Sequence, residues 1–202
     1  MRKEVSLAAL IVGAASLSPS AHAGGIGVVG NVGLRQDIAY YYLPDGEQGR
    51  DKQIRPSNGI GFELLLGDRT DKIQGLVRGN LLVDSPVKNP DLSGESDADE
   101  IIHPDYESDE VKSRKTGAVA VGMQWAIWGD PEGFQLIANS LVGTGFITPD
   151  NYEFLYLEPA FGFNYTMDER FQLNVNLAAT ARYRKGLSMG GNMYAGFRYL
   201  FD

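Results

Sequence analysis

The chain has 202 residues, a formal net charge of -8 and no cysteine. That balance argues against a nucleic-acid partner, which calls for a basic face. The lack of cysteine excludes a disulfide framework and lipid attachment at a cysteine. With 25 glycines beside 10 tyrosines and 9 phenylalanines, composition favours many β-strands over a helical domain.

The first residues read as an export address. Arg2 and Lys3 precede an apolar run from Ser6 to Leu17, and Ala21-His22-Ala23 forms an A-x-A site. The run is shorter than the ~20 residues of a membrane-spanning helix. Residues 1–23 are therefore expected to be a cleaved signal peptide, leaving one domain from Gly24 to Asp202.

That domain opens on Gly25-Ile-Gly27-Val-Val-Gly30, which spells the dinucleotide fingerprint G-x-G-x-x-G. The fingerprint needs a strand before it, a helix after it and an acidic residue ~20 positions on. Here an alternating segment runs straight through it, and Glu47 falls in a polar stretch. The glycines are read instead as part of a strand in a tightly curved sheet, and no cofactor is expected.

Eight segments with period-two alternation follow. The first places Val28, Val32, Leu34, Ile38, Tyr40 and Tyr42 opposite Asn31, Arg35 and Asp37. The second has Ile60, Phe62, Leu64 and Leu66 on one face and Glu63 on the other. The third sets Ile73, Val77, Leu81 and Val83 against Gln74, Arg78 and Asn80. In the fourth, Val119, Val121, Met123, Trp125 and Ile127 oppose Ala118, Ala120, Gly122 and Gln124. The fifth pairs Phe134, Leu136, Ala138 and Val142 with Gln135 and Asn139, and the sixth sets Leu155, Leu157, Phe161 and Phe163 against Tyr156, Glu158 and Asn164. The seventh runs Phe171, Leu173, Val175, Leu177, Ala179, Ala181 and Tyr183 against Gln172, Asn174, Asn176, Thr180 and Arg182. The eighth ends in Met193, Ala195, Phe197, Tyr199 and Phe201 opposite Asn192, Tyr194 and Arg198. Such alternation predicts strands with one apolar and one polar face. Their length matches the ~9–11 residues of a transmembrane strand rather than the usual globular strand of about five or six.

The connections alternate too. Gly67–Asp71, Gly129–Gly133 and Thr166–Arg170 are tight turns, whereas Pro44–Pro56 and Asp84–Lys115 are long; Thr148–Asn151 and Lys185–Leu187 are brief. Short periplasmic turns and longer outer loops are how outer-membrane barrels are built. Aromatic residues fall at both ends, with Tyr40–Tyr42, Phe146, Tyr152, Phe154 and Tyr183 near the long loops. Trp125, Trp128, Phe134, Phe163, Tyr165, Phe171, Phe197, Tyr199 and Phe201 lie near the turns. Two such girdles mark the two membrane–water boundaries. On these features the chain resembles the small eight-stranded outer-membrane β-barrels of the OmpA/OmpX type. The resemblance implies an all-β, antiparallel, up-and-down transmembrane barrel in the bacterial outer membrane with both termini in the periplasm. Its closing run, Ala195 to Phe201, matches the aromatic ending of such barrels, and Asp202 departs from it.

Function is sought on the polar face and in the loops. Arg35, Asp37, Glu63, Arg78, Glu158, Arg182 and Arg198 all point to the interior. A barrel of eight strands is filled by side chains, so these charges are expected to pair with one another. The stretch from Asp84 to Glu110 carries ten acidic residues, a density that favours an extended, solvated segment. Within it Asp97, Asp99 and Glu100 are candidate ligands for a hard cation, although the spacing is not that of an EF-hand. His103, with Asp105 and Ser108 beside it in sequence, is the residue a lipid-modifying enzyme would need; sequence proximity alone does not make a triad. The expectation is a non-enzymatic barrel displaying acidic loops, with outer-membrane lipid, lipopolysaccharide, the assembly machinery and a possible protein partner around it. A small channel for ions or short solutes is the alternative.

Overall fold

The computed structural model describes residues 24–42, 48–85, 114–148, 152–183 and 187–201. Eight antiparallel strands close into a single barrel in chain order: β1 (Gly25–Tyr42), β2 (Gln48–Leu66), β3 (Ile73–Asp84), β4 (Arg114–Gly129), β5 (Phe134–Thr148), β6 (Tyr152–Asp168), β7 (Phe171–Tyr183) and β8 (Leu187–Leu200). Closure is made by β1 and β8, paired from Gly25↔Leu200 to Arg35↔Gly190.

The register climbs around the cylinder. From Gly25 it leads through Leu65, Leu76, Gly122 and Leu141 to Glu158. The common register of Leu157↔Ala181 and Ala160↔Ala178 carries it from Glu158 to Thr180. Thr180 leads through Gly190 back to β1 at Arg35. One circuit thus returns ten residues beyond its start, from position 25 to position 35. This stagger tilts the strands and fixes a narrow barrel whose interior is filled by side chains.

The alternation read from sequence divides outside from inside. Val28, Leu34, Phe62, Leu81, Leu157, Phe161, Leu177 and Phe197 are exposed on the outer wall, whereas Asn31, Glu63, Arg78, Gln124, Glu158, Asn174, Asn176 and Arg198 are buried inside. An apolar exterior around a polar interior is the inverse of a soluble protein, and only a hydrocarbon surround makes it favourable. At the turn end Phe134 stacks on Phe163 at 5.4 Å, and Tyr199 meets Phe171 and Phe201 edge-on at 5.5 and 5.7 Å. These rings form the lower girdle.

The turns are stiffened by local bonds. Gly67 and Gly129 adopt φ of 110° and 108°, a left-handed backbone that glycine alone adopts at little cost. Asp68 accepts bonds from the Thr70 backbone N–H and hydroxyl, both 2.8 Å, and these hold its carboxyl below the usual range. Arg69 reaches Glu132 at 3.5 Å and the Glu169 carbonyl at 3.1 Å, tying the three turns together.

Three expectations are corrected. The stretch Pro44–Pro56 is not all loop, because β2 begins at Gln48 and pairs with β1 to the end of both strands. This two-stranded ribbon outruns its neighbours: the β1–β8 ladder stops at Arg35, and the β2–β3 ladder at Ser57. Asp84 is not a loop residue; it ends β3 with its side chain inside the barrel. Phe154 belongs to the lumen and not to the outer girdle, since it is 5% exposed and packs beside Tyr156. Pro159 faces outward in β6, and the ladder to β7 skips from Leu157 to Ala160 without a change of register. Its missing N–H is absorbed by an unpaired site and not by a bulge.

Leu177, at the middle of β7 and 64% exposed, gives a direct check of the lipid face. Leu177→Arg is expected to destabilise the barrel by about 2–4 kcal/mol, the cost of a charge at the bilayer midplane. Urea unfolding in phospholipid vesicles measures it, and no loss would mean the side chain does not face hydrocarbon.

Candidate functional site in the barrel interior

The inward residues of β2, β3, β6 and β8 meet in a charged cluster at mid-height. Glu63 on β2 stands beside Arg78 on β3 and opposite Gly27 on β1, and Gly27 in turn faces Arg198 on β8. The two guanidiniums approach Glu63 from opposite sides. Arg78 Nε and Nη2 lie 2.7 and 2.6 Å from Oε1, and Arg198 Nε and Nη2 lie 2.8 and 2.7 Å from Oε2. Arg78 then crosses the lumen to Glu158 on β6, with Nη1 2.6 Å from Oε1. Tyr194 on β8 donates its hydroxyl to Glu158 Oε2 at 2.7 Å, while its ring lies 4.1 Å beneath the Arg78 guanidinium. Two cations and two anions therefore neutralise one another, and Arg78, Arg198, Glu63 and Glu158 are each 1% exposed or less.

The glycine motif at the head of the chain now has its explanation. A Cβ on Gly27 would sit 2.7 Å from Arg198 Cγ and from the Phe197 carbonyl. Bare backbone there lets Arg198 pass across β1 to Glu63. The pattern serves close approach by a side chain rather than by a dinucleotide.

Amide side chains extend the network toward the turns. Arg198 Nη1 donates to Gln124 at 3.0 Å and Gln172 at 3.2 Å; Gln124 donates to Gln74, and Gln74 to the Asp68 carbonyl. Asn139, Asn176, Asn174 and Asn164 form a second chain with bonds of 2.6–2.9 Å. Beside these polar rows sits an apolar cluster of Leu65, Leu76, Ala118, Ala120, Leu141, Phe154 and Tyr156. Polar network and apolar filling together occupy the cross-section.

A second ion pair lies at the loop end. Arg35 on β1 donates to Asp84 on β3, and Thr116 on β4 donates its hydroxyl to the same carboxylate at 3.0 Å. Arg55 is 3% exposed beside them and reaches the Ser85 carbonyl at 3.5 Å. Arg182, higher on β7, lies 4.9 Å over the Phe154 ring.

Of the seven interior charges expected from sequence, Glu63, Arg78, Glu158 and Arg198 come together. Arg35 and Arg182 lie inside but nearer the loop end, apart from that cluster. The backbone of Asp37 lies in β1, and its side chain is outside the described residues. Asp84 and Arg55 were missed. Strand parity holds their signal, since 84 continues the inward series 74, 76, 78, 80, 82, and 55 the series 63, 61, 59, 57. Both fell in stretches assigned to loops on polarity alone. Asp97, Asp99, Glu100 and His103 lie outside the described residues, as do residues 1–23.

No known protein family matches the chain, and no curated protein matches it. Among solved structures, the outer membrane protein OprG from Pseudomonas aeruginosa superposes with a TM-score of 0.51 at 13% identity, over 89% of this chain and 97% of that one. Neisserial surface protein A gives 0.44 at 12% identity, over 88% and 97%. In fold the chain is a small eight-stranded outer-membrane β-barrel. No subfamily within that class is marked out.

Glu63 is the hinge of the network. Glu63→Gln leaves Arg78 and Arg198 facing each other across a neutral amide, and is expected to cost about 3–5 kcal/mol, the usual penalty for breaking a buried ion pair. Unfolding in vesicles, followed by tryptophan fluorescence, measures the loss. A variant as stable as the parent would show that the cluster does not hold the strands together.

Proposed function

We propose that this protein is a non-enzymatic, occluded barrel integral to the bacterial outer membrane, acting through the surface it presents on the loop side. The observation that carries the reading is the cross-lumen bridge Glu63–Arg78–Glu158, braced by Arg198 and Tyr194. It joins β2 and β3 to β6 and β8 through side chains at most 1% exposed. A solute crossing the barrel would have to part buried charges already matched to one another, and broken buried pairs are costly.

With transport blocked, the remaining working surface is the loop end. There the β1–β2 ribbon projects past its neighbours, and the acidic stretch of residues 85–113 connects β3 to β4. Nine carboxylates between Asp91 and Glu110 suit a basic protein partner or bridging divalent cations at the lipopolysaccharide surface. Lipid surrounds the apolar wall, and the described ends Gly24 and Phe201 meet at the turn end, taken as periplasmic. Phe201 offers the closing aromatic that an assembly machinery would read.

In a planar bilayer the purified protein is expected to give no steady discrete conductance. Sustained unitary steps would overturn the occluded reading in favour of a small channel. The display role has its own test, in-cell crosslinking of the parent and of a chain lacking residues 90–110. Crosslinked complexes that depend on the segment are the expected result, and an unchanged pattern would dismiss the acidic stretch as the contact surface.

A further inference from the structure

Between the mid-height cluster and the Arg35–Asp84 pair, the lumen is lined by polar groups that no other described residue satisfies. Tyr156 is the next inward residue above Glu158 on β6; it is 5% exposed, and its buried hydroxyl has no hydrogen-bond partner. Its register neighbour on β7 is Arg182, whose Nε and Nη1 are buried without a partner. On the opposite wall Asn31, 2% exposed, leaves both side-chain amide atoms unbonded, and Asn80, 4% exposed, leaves Oδ1 unbonded. Each sits on its strand between the lower cluster and the rim.

Buried polar groups in folded proteins are normally bonded, so such a set points to something that completes it. Most of the unmet capacity is donor capacity: a guanidinium, a phenol hydroxyl and an amide N–H₂. The described carboxylates that border this part of the lumen are already engaged. Glu158 is held by Arg78 and Tyr194, and Asp84 by Arg35 and Thr116. Glu153 is exposed, on the outward parity of β6. Among the described residues Arg182 therefore brings a positive charge with no carboxylate against it, and its guanidinium carbon lies 4.9 Å from the centre of the Phe154 ring. A guanidinium whose Nε and Nη1 make no other bond keeps its N–H groups available, the donors that recognise compact oxyanions.

We infer that the loop-side half of the lumen is a blind anion-binding vestibule. It takes a compact oxyanion, a phosphate or sulfate group, on Arg182 and the Tyr156 hydroxyl. Asn31 lines the facing wall, and the Arg78–Glu63–Glu158 bridge closes the floor. The inference stands apart from loop display, since it concerns the interior and not the acidic segment.

The test uses the full mature chain folded in maltoside detergent, which carries no phosphate, titrated with inorganic phosphate or sulfate against chloride at constant ionic strength. Expected are a saturable shift of the Arg182 Nε–Hε NMR resonance and a rise in unfolding temperature with anion concentration. Binding should weaken about tenfold in R182Q and more modestly in Y156F, whose fold the loss of one hydroxyl leaves intact. Arg69→Gln, at the turn end, should leave binding unchanged. An Arg182 resonance that stays still in the parent, a response equal to that of chloride, or full binding in a folded R182Q would each overturn the site. A conducting barrel that still bound phosphate on Arg182 would separate this site from the occluded reading.

Discussion

Hydrocarbon offers no partner to a backbone N–H or C=O, and each group left unpaired there costs several kcal/mol. From that constraint the rest of the molecule follows. Every strand must have two neighbours, so β1 must meet β8, and the Gly25–Arg35 stretch of β1 is bonded on both edges. Closure at eight strands with a ten-residue stagger leaves a narrow lumen that side chains fill at mid-height. The small residues are a consequence. Gly27 is bare because Arg198 must pass, and Gly33 because a Cβ there would lie 2.8 Å from the Gly191 carbonyl. Pro159 tests the same rule from the other side. It interrupts the ladder to β7 at one place, while the register holds on both flanks.

The lumen could have been filled with leucine, and part of it is, around Leu65, Leu76 and Leu141. A buried ion cluster is often no more stabilising than an apolar filling of equal volume. What the charged filling adds is reach. Leucines touch adjacent strands, whereas Arg78 on β3 grips Glu158 on β6, and Arg198 on β8 grips Glu63 on β2. Each tie spans strands that share no ladder. The geometry is exacting, because a slip of one residue in any of these strands would turn its charge outward into lipid. The cluster thus penalises wrong register during closure, which an apolar filling does not.

Much of this was legible in the residues. Period-two alternation is clearest on β7 and β8, from Phe171 to Leu177 and from Met193 to Tyr199, because lipid outside and mostly polar neighbours inside leave little freedom there. Glu63, Arg78, Glu158 and Arg198 could be placed inside by parity, but not paired. Pairing depends on the stagger, and nothing local in a strand records how far its neighbour has slid. Parity also weakened where the interior turns apolar: Leu65, Leu76 and Phe154 point inward, and Phe154 was accordingly misread as a girdle residue. At the loop end, polarity was a poor guide. Asp84 and Arg55 looked like loop residues because they are charged, yet inside this barrel charge is the filling.

The two halves of the lumen differ in how they settle that charge. At mid-height, furthest from water, Arg78 and Arg198 meet Glu63 and Glu158 one for one, as a medium of low dielectric demands. Nearer the rim Arg35 meets Asp84, and Arg182 turns to the Phe154 ring. Burial also eases in that direction: Arg182 is half-buried, whereas the four mid-height charges are fully buried, so one-for-one matching is less strictly demanded at its level. How each arginine is satisfied, by carboxylates at the centre and in part by a ring nearer the rim, therefore follows from the depth at which it is placed on its strand.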